Sequence, residues 1–205
     1  MGMAAVLVIA IAALVVFFVL LRPSSPTAYA GTVLDPPEDT PAFALTDQGG
    51  KPRQWSAYRG QVVVLTFLYT SCPDTCPLLA GKLTKTYGAL GIDVRDVTFV
   101  AITVDPERDT PQAIQAFSEK SNMVGRWDYL TGAPDELAAL WRHYGVGDVR
   151  REVSRDTLKA SGDYTLAHKT PVHVIDKQGK DRIVYTDVFT PEGLTRDIRR
   201  LLKEK

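Results

Sequence analysis

The sequence predicts an α/β fold, because strand-like and helix-like segments alternate along most of its 205 residues. Two apolar runs carry the prediction: Gln61–Tyr69 (QVVVLTFLY) and Val97–Val104 (VTFVAITV). Continuous runs of β-branched and aromatic residues are typical of strands covered on both faces. With 45% hydrophobic and 23% charged residues, the chain suits one globular domain with a short appendage.

The appendage lies at the N-terminus. Met3–Leu21 contains no charged or strongly polar residue, and as a helix it would measure about 28 Å, close to the hydrocarbon thickness of a bilayer. We interpret residues 1–22 as a transmembrane anchor; a signal sequence cut after Ala28-Tyr29-Ala30 is the alternative. Residues 23–40, which begin with prolines and serines, are predicted to be a linker, and residues 41–205 the folded domain.

Turn and capping residues delimit the elements of the domain. Thr110 and Thr190 are each followed by proline, so both are predicted to cap a helix N-terminus. Asp176–Gly179 is a turn signal between two apolar runs and predicts a hairpin. The predicted elements are the strand Pro41–Leu45, the strand Gln61–Tyr69, a helix from about Pro77 to Leu90, the strand Val97–Val104, a helix from Pro111 to about Lys120, the strand Trp127–Leu130, the helix Pro134–Tyr144, the strands Val172–Ile175 and Ile183–Tyr185, and the helix Pro191–Leu202. This order is that of the thioredoxin fold with an N-terminal extension and an inserted element.

The chain has two cysteines, Cys72 and Cys76, placed where the first buried strand gives way to a helix. A helix N-terminus stabilises a thiolate and lowers its pKa. The spacing of four residues would let both sulfurs face one side of a helical turn, where they can share a soft metal ion or form a disulfide. A structural zinc site is disfavoured, because the four ligands of such a site are not evident.

Three histidines are candidates for a further ligand. His143 falls on a predicted helix and is expected to be an ordinary, partly exposed residue. His173 falls inside a predicted strand and is expected to be packed. His168 precedes that strand, in a stretch that passes close to the cysteines in a thioredoxin fold, so it is the best candidate.

The chain carries no excess of positive charge. Lys and Arg together number 24, and Asp and Glu also number 24, so there is no positive surplus to neutralise phosphates. Nucleic acid is therefore not expected as a partner.

The sequence resembles the SCO/SenC family of copper proteins, which take part in cytochrome c oxidase assembly. The likeness extends from about Phe43 to Leu202 and includes nearly the whole soluble domain. Five segments carry it: Phe67–Pro77 (FLYTSCPDTCP), Val104–Pro111 (VDPERDTP), Leu130–Gly132 (LTG), Tyr144–Val146 (YGV), and His168 placed eight residues before Asp176.

The resemblance implies copper, as Cu(I) or Cu(II), held by Cys72, Cys76 and His168. It also implies a domain on the extracytoplasmic side of the cytoplasmic membrane, with cytochrome c oxidase subunit II as the copper acceptor. A metallochaperone is favoured over an enzyme. The alternative is a thiol-disulfide reductase in which Cys72 attacks and Cys76 resolves, reducing the acceptor's cysteines. Arg22 favours the opposite membrane orientation, since positive charges mark the cytosolic side.

Three further segments carry expectations. Asp105 either faces the cysteines or caps the turn after its strand, and we favour the turn, with Arg108 and Asp109 paired locally. Thr170-Pro171 is similar to the Thr-Pro of thiol-disulfide oxidoreductases, where the proline is cis. The charged segment Arg150–Asp163 is predicted to be a mobile loop.

Overall fold

The structure is a computed structural model that describes residues 28–147, 149–152 and 164–204, together with Gly2. An eight-stranded mixed sheet has the strand order β1-β10-β9-β4-β5-β6-β2-β3, and β7 and β8 form a separate two-stranded sheet. The strands are β1 (Thr32–Asp39), β2 (Ala44–Asp47), β3 (Pro52–Gln54), β4 (Val62–Leu68), β5 (Val97–Thr103), β6 (Trp127–Thr131), β7 (Arg150–Glu152), β8 (Thr165–Ala167), β9 (Val172–Ile175) and β10 (Lys180–Tyr185). The helices are α1 (Thr75–Leu90), α2 (Pro111–Lys120), α3 (Pro134–His143) and α4 (Pro191–Lys203), with short 3-10 helices at Trp55–Tyr58 and Gly91–Asp96.

The predicted α/β class is confirmed, and β4 is the centre of the sheet. All seven residues of β4 are buried, as the apolar run Gln61–Tyr69 predicts for a strand covered on both faces. β4 pairs in parallel with β5 and antiparallel with β9. Both capping predictions are also confirmed: Thr110 Oγ1 accepts a hydrogen bond from Ala113 N at 3.2 Å, and Thr190 Oγ1 accepts one from Gly193 N at 3.1 Å.

Strand direction brings three chain segments to one end of the sheet. β4, β5 and β6 are parallel, so their carboxyl ends lie together. β9 is antiparallel to β4, so the residues that precede β9 lie at that same end. The cysteine segment, the segment after Thr103 and the loop containing His168 therefore meet at the carboxyl end of β4, where ligands of open α/β sheets commonly bind.

Two parts of the sequence interpretation change. Thr32–Asp39, placed in the linker, forms the edge strand β1, which pairs with β10 and has an irregular register between Val33 and Glu38. The prolines in this segment suit an edge strand, where a missing N–H faces away from the ladder. Arg150–Glu152, placed in a loop, pairs with Thr165–Ala167; residues 153–163 lie outside the described part.

The anchor assigned to residues 1–22 also lies outside the described residues, apart from Gly2. Within the described ranges, none of the helices has the length and apolar character needed to cross a bilayer.

Candidate metal centre

The two cysteines lie in the turn that joins β4 to α1. Cys72 N donates a hydrogen bond to the carbonyl of Tyr69 at 3.3 Å, which closes the turn. Cys76 is the second residue of α1 and is fully buried, whereas Cys72 is partly exposed. The predicted junction is confirmed, but the prediction that both cysteines occupy one helical turn is wrong, because Cys72 precedes the helix.

Both thiols are free. Cys72 has its pKa lowered to about 5, chiefly because the Cys76 thiol donates a hydrogen bond to it. The backbone N–H groups of Cys76 and Asp74 and the hydroxyl of Tyr69 also stabilise the thiolate, and Cys76 N lies 3.4 Å from Cys72 Sγ. Burial acts in the opposite direction and is outweighed. Cys72 is therefore a thiolate at neutral pH.

Cys76 behaves oppositely. Its pKa is raised, first because its proton is shared with the Cys72 sulfur, and then by burial and by the negative charge on Cys72. The reduced pair therefore carries one proton between its two sulfurs, held on Cys76.

Tyr69 stands between the cysteines and His168. Its hydroxyl stabilises the Cys72 thiolate and also accepts a hydrogen bond from Leu166 N at 3.2 Å. Burial and the charge on Cys72 raise the pKa of Tyr69 to about 12, so the hydroxyl keeps its proton and acts as a donor. The ring of Tyr69 meets the imidazole of His168 edge to face, with centroids 5.6 Å apart.

His168 lies between β8 and β9 and is half-buried. Its Nδ1 is 2.8 Å from the carbonyl oxygen of Lys169, so Nδ1 carries the proton and Nε2 has a free lone pair. Burial lowers the pKa of His168, which keeps the ring neutral at pH 7. A backbone carbonyl on one nitrogen and a lone pair on the other is the usual state of a metal-binding imidazole.

The cysteine turn and the segment that contains His168 line one cavity of about 190 Å³. Cys72 and His168 both line it, with Tyr69 and Thr170. Among the residues that the structure describes, no three His, Cys, Asp or Glu side chains are already close enough together to hold a metal ion. The structure thus brings Cys72 and Cys76 into contact and places His168 on the lining of the same small cavity as Cys72.

The acidic segment after β5 differs from expectation in one respect. Asp105 is buried and accepts hydrogen bonds from Arg108 Nε at 2.5 Å and from the hydroxyl of Tyr164 at 2.8 Å, while its carbonyl accepts from the backbone of Arg108 and Asp109. This agrees with the turn that we favoured for Asp105. The predicted pairing of Arg108 with Asp109 is wrong, because Arg108 pairs with Asp105 instead.

Asp109 is a site residue that sequence reasoning missed. It is buried, and its Oδ1 accepts hydrogen bonds from the backbone N–H of Thr70 at 2.8 Å and from the Thr70 hydroxyl at 2.6 Å. Its Oδ2 accepts from the hydroxyls of Thr103 at 2.6 Å and Tyr129 at 3.1 Å. Asp109 therefore fixes the turn that leads to Cys72. The only sign of this role in the sequence was that Asp109 lies in Val104–Pro111, one of the segments that carry the family resemblance.

The other two histidines lie as predicted. His143 is exposed at the end of α3. His173 is buried in β9, with Nδ1 2.6 Å from Asp181 Oδ2 and Nε2 3.1 Å from the carbonyl of Tyr144. The peptide bond before Pro171 is not cis, because the one cis peptide bond in the described ranges precedes Pro36. The similarity of Thr170-Pro171 to the Thr-Pro of thiol-disulfide oxidoreductases therefore does not include a cis proline.

A family model described as SCO1/SenC matches residues 32–203. The chain belongs to the SCO1/SenC family. Its relatives include the mitochondrial SCO2 homolog of Mus musculus, 31% identical over 162 residues that make up 77% of this chain and 60% of that protein. A SCO2-like protein of Rickettsia prowazekii is 28% identical over 200 residues, 97% of this chain and 93% of that protein.

Solved structures of the SCO1/SenC family have the same fold. Bradyrhizobium japonicum ScoI, solved with copper bound, is 30% identical and superposes with a TM-score of 0.69 over 80% of this chain and 99% of its own. The family resemblance drawn from the cysteine segment and from Val104–Pro111 is thereby confirmed, as is the thioredoxin-like α/β fold.

Proposed function

We propose that this SCO1/SenC protein is a copper metallochaperone that binds copper through Cys72, Cys76 and His168. The observation that carries the proposal is the donor set around one small cavity: a thiolate beside a second thiol, and a neutral imidazole with a free Nε2 on a residue that lines the same cavity. The copper-bound relative ScoI supports the choice of metal.

The chemistry of these donors suits copper. Two thiolates and an imidazole are good ligands for Cu(I), and with one more ligand they also hold Cu(II). Cys72 is ready to bind, whereas Cys76 has to give up its proton, so metal binding releases a proton. Because the three donors are not already clustered, binding also requires Cys72 and His168 to approach each other.

By family resemblance, the acceptor is the copper site of cytochrome c oxidase, on subunit II, during assembly of that enzyme. Copper would pass to the acceptor's cysteines by ligand exchange, with Cys72 as the more accessible of the two sulfurs. The apolar segment Met3–Leu21 would hold the domain at the cytoplasmic membrane, on the extracytoplasmic side.

Copper titration of the reduced and oxidised protein tests the proposal. The reduced chain should bind Cu(I) and Cu(II) with one copper per chain and lose two titratable thiols on binding. Oxidation to a Cys72–Cys76 disulfide should abolish binding until a reductant is added, because a disulfide offers no thiolate. Equal copper affinity of the oxidised and reduced proteins would refute the two-thiolate site.

The thiol-disulfide reductase is a second candidate, favoured by the asymmetry of the two sulfurs. The exposed Cys72 thiolate would attack an acceptor disulfide, forming a mixed disulfide and releasing one acceptor thiolate. Cys76, after losing its proton, would attack Cys72 Sγ and release the second. The acceptor is then reduced by two electrons and this protein is oxidised to the Cys72–Cys76 disulfide. His168 discriminates between the candidates, since disulfide exchange does not need it.

A further inference from the structure

A second cavity also borders Cys72, and His168 is not among the described residues that line it. It is a groove of about 850 Å³ between α1 and α2. Cys72 and Pro73 line it together with Ser121 and Asn122. Thr84 of α1 also lines it, and its hydroxyl donates a hydrogen bond to the carbonyl of Ser121 at 2.7 Å. Several of the lining residues are small, among them Gly81, Ala113 and Ala116.

The charged residues found along this groove have one sign. Among the described residues that line it are Lys85 from α1, Lys120 from α2, and Arg108, and none of these lining residues is Asp or Glu. Arg108 is already neutralised by Asp105. Lys85 and Lys120 are exposed, and neither has an ion-pair partner within the described ranges. Two positive charges without an ion-pair partner among the described residues therefore line the groove, one from each helix.

We propose that this groove binds an acidic, extended segment next to the cysteine of the partner with which Cys72 reacts. The inference rests on the proposed function, because that function supplies a cysteine-bearing partner. Charge complementarity selects the occupant: a low-dielectric groove lined by one sign of charge attracts the opposite sign.

The geometry fixes where the acidic residues belong. Pro77 and Lys85 are eight positions apart on α1, which is about 12 Å at 1.5 Å per residue. An extended chain rises about 3.3 Å per residue, so carboxylates three to four residues from the partner's cysteine reach the lysines. Carboxylates adjacent to that cysteine do not.

Peptide disulfides of matched composition test the groove. Each peptide has one central cysteine, acetylated and amidated ends, and thionitrobenzoate on its sulfur. The Cys72 thiolate attacks the peptide sulfur, a protein–peptide disulfide forms, and coloured thionitrobenzoate leaves. One peptide carries two glutamates starting three residues from the cysteine on both sides. A second carries lysines there, and a third has the glutamates directly beside the cysteine.

With the full-length reduced protein in non-ionic detergent, the first peptide should react about tenfold faster than the other two at low salt. The ratio of the first peptide's rate to the rates of the other two should fall toward one in about 0.5 M salt, since screening shortens the reach of exposed charges. The double variant Lys85→Glu with Lys120→Glu should reverse the preference for the first peptide over the lysine peptide. The matched pair Lys51→Glu with Lys203→Glu, which changes net charge equally at exposed sites outside the groove, should leave it unchanged. Taking rate ratios removes any change in the reactivity of Cys72 itself.

Equal rates for the three peptides, or equal effects of the two variant pairs, would overturn the proposal. The copper titration separates this result from failure of the proposed function. Copper binding without a peptide preference would refute the groove alone. A peptide preference without copper binding would refute the metallochaperone and leave the groove as the recognition site of a reductase.

Discussion

The two sulfurs of this site differ because their surroundings differ. Cys72 lies outside the helix and receives hydrogen bonds from the Cys76 thiol, from two backbone N–H groups and from Tyr69, so its negative charge is stabilised. Cys76 is buried inside the first turn of α1, so its proton is retained. The Cys72 sulfur is therefore available to a partner, while Cys76 keeps its proton until metal binding or disulfide formation.

His168→Ala tests the third ligand. Without the imidazole, two thiolates still suit Cu(I) but no longer suit Cu(II). Cu(I) affinity should fall only modestly, because both thiolates remain. Cu(II) binding and its thiolate charge-transfer absorption should largely disappear. Disulfide exchange by Cys72 should continue at its normal rate, because it does not need the ring.

His143→Ala is the matched control, since His143 is exposed and is not among the described residues that line the cavity. It should leave both copper titrations unchanged. An unaltered Cu(II) spectrum in His168→Ala would remove this residue from the ligand set and favour the reductase.

At the scale of elements, the turn before α1 is held by the segment that follows β5. Thr70 precedes the cysteines by two residues, and Asp109 fixes both its N–H and its hydroxyl. The same carboxylate contacts β5 through Thr103 and β6 through Tyr129. Asp109 thus ties the cysteine turn to two neighbouring strands.

Asp109→Asn should lower the free energy of unfolding by about 2 kcal/mol, because four donors converge on two oxygens and an amide has only one. Chemical denaturation measures this as a lower midpoint with an unchanged slope. The same substitution at exposed Asp135 should have little effect. If the two variants unfold at the same midpoint, the carboxylate does not support the turn.

His173 joins β9, β10 and the end of α3. Both of its ring nitrogens lie within hydrogen-bond distance of oxygen atoms, Asp181 Oδ2 at 2.6 Å and the carbonyl of Tyr144 at 3.1 Å. Asp181 is itself buried.

His173→Ala should therefore destabilise the protein by about 3 kcal/mol, since it removes two buried hydrogen bonds and leaves the buried Asp181 carboxylate without this partner. Thermal or chemical denaturation measures the loss, and copper stoichiometry at low temperature should remain that of the unaltered protein. Loss of copper binding from a variant that is still folded would mean that His173 acts on the metal site directly.

At the scale of the whole molecule, strand order decides which segments meet. Cys72, Asp109 and His168 are far apart in sequence, yet each follows or precedes a strand end at one end of the sheet. The edge strand β1 also begins at this end, where Thr32 pairs with Val184. The segment that leads from the predicted anchor therefore enters the fold at the end that carries the site.

A reporter fused after Lys205 tests the proposed membrane orientation. A reporter that works only outside the cytosol should be active when it is fused at this point. A second reporter that works only in the cytosol should be inactive when it is fused at the same point. The reverse pattern would mean that Arg22 and the positive-inside rule determine the topology.

The sequence by itself determined the features that depend on neighbouring residues. Continuous apolar runs identified β4 and β5, and the pairs Thr110-Pro111 and Thr190-Pro191 set the start of α2 and α4, because helix caps and strand burial are local patterns. The position of the cysteine pair at a strand-to-helix junction was predictable for the same reason.

Tertiary structure decided the features that depend on distant partners. The pairing of β1 with β10 joins residues about 150 positions apart, beyond the reach of any local pattern. The role of Asp109 depends on Thr70 and Tyr129, and the low pKa of Cys72 depends on how Tyr69 and Cys76 surround it. Burial and convergence of hydrogen bonds arise only when the chain is folded, so the charge state of the two sulfurs was not contained in their spacing.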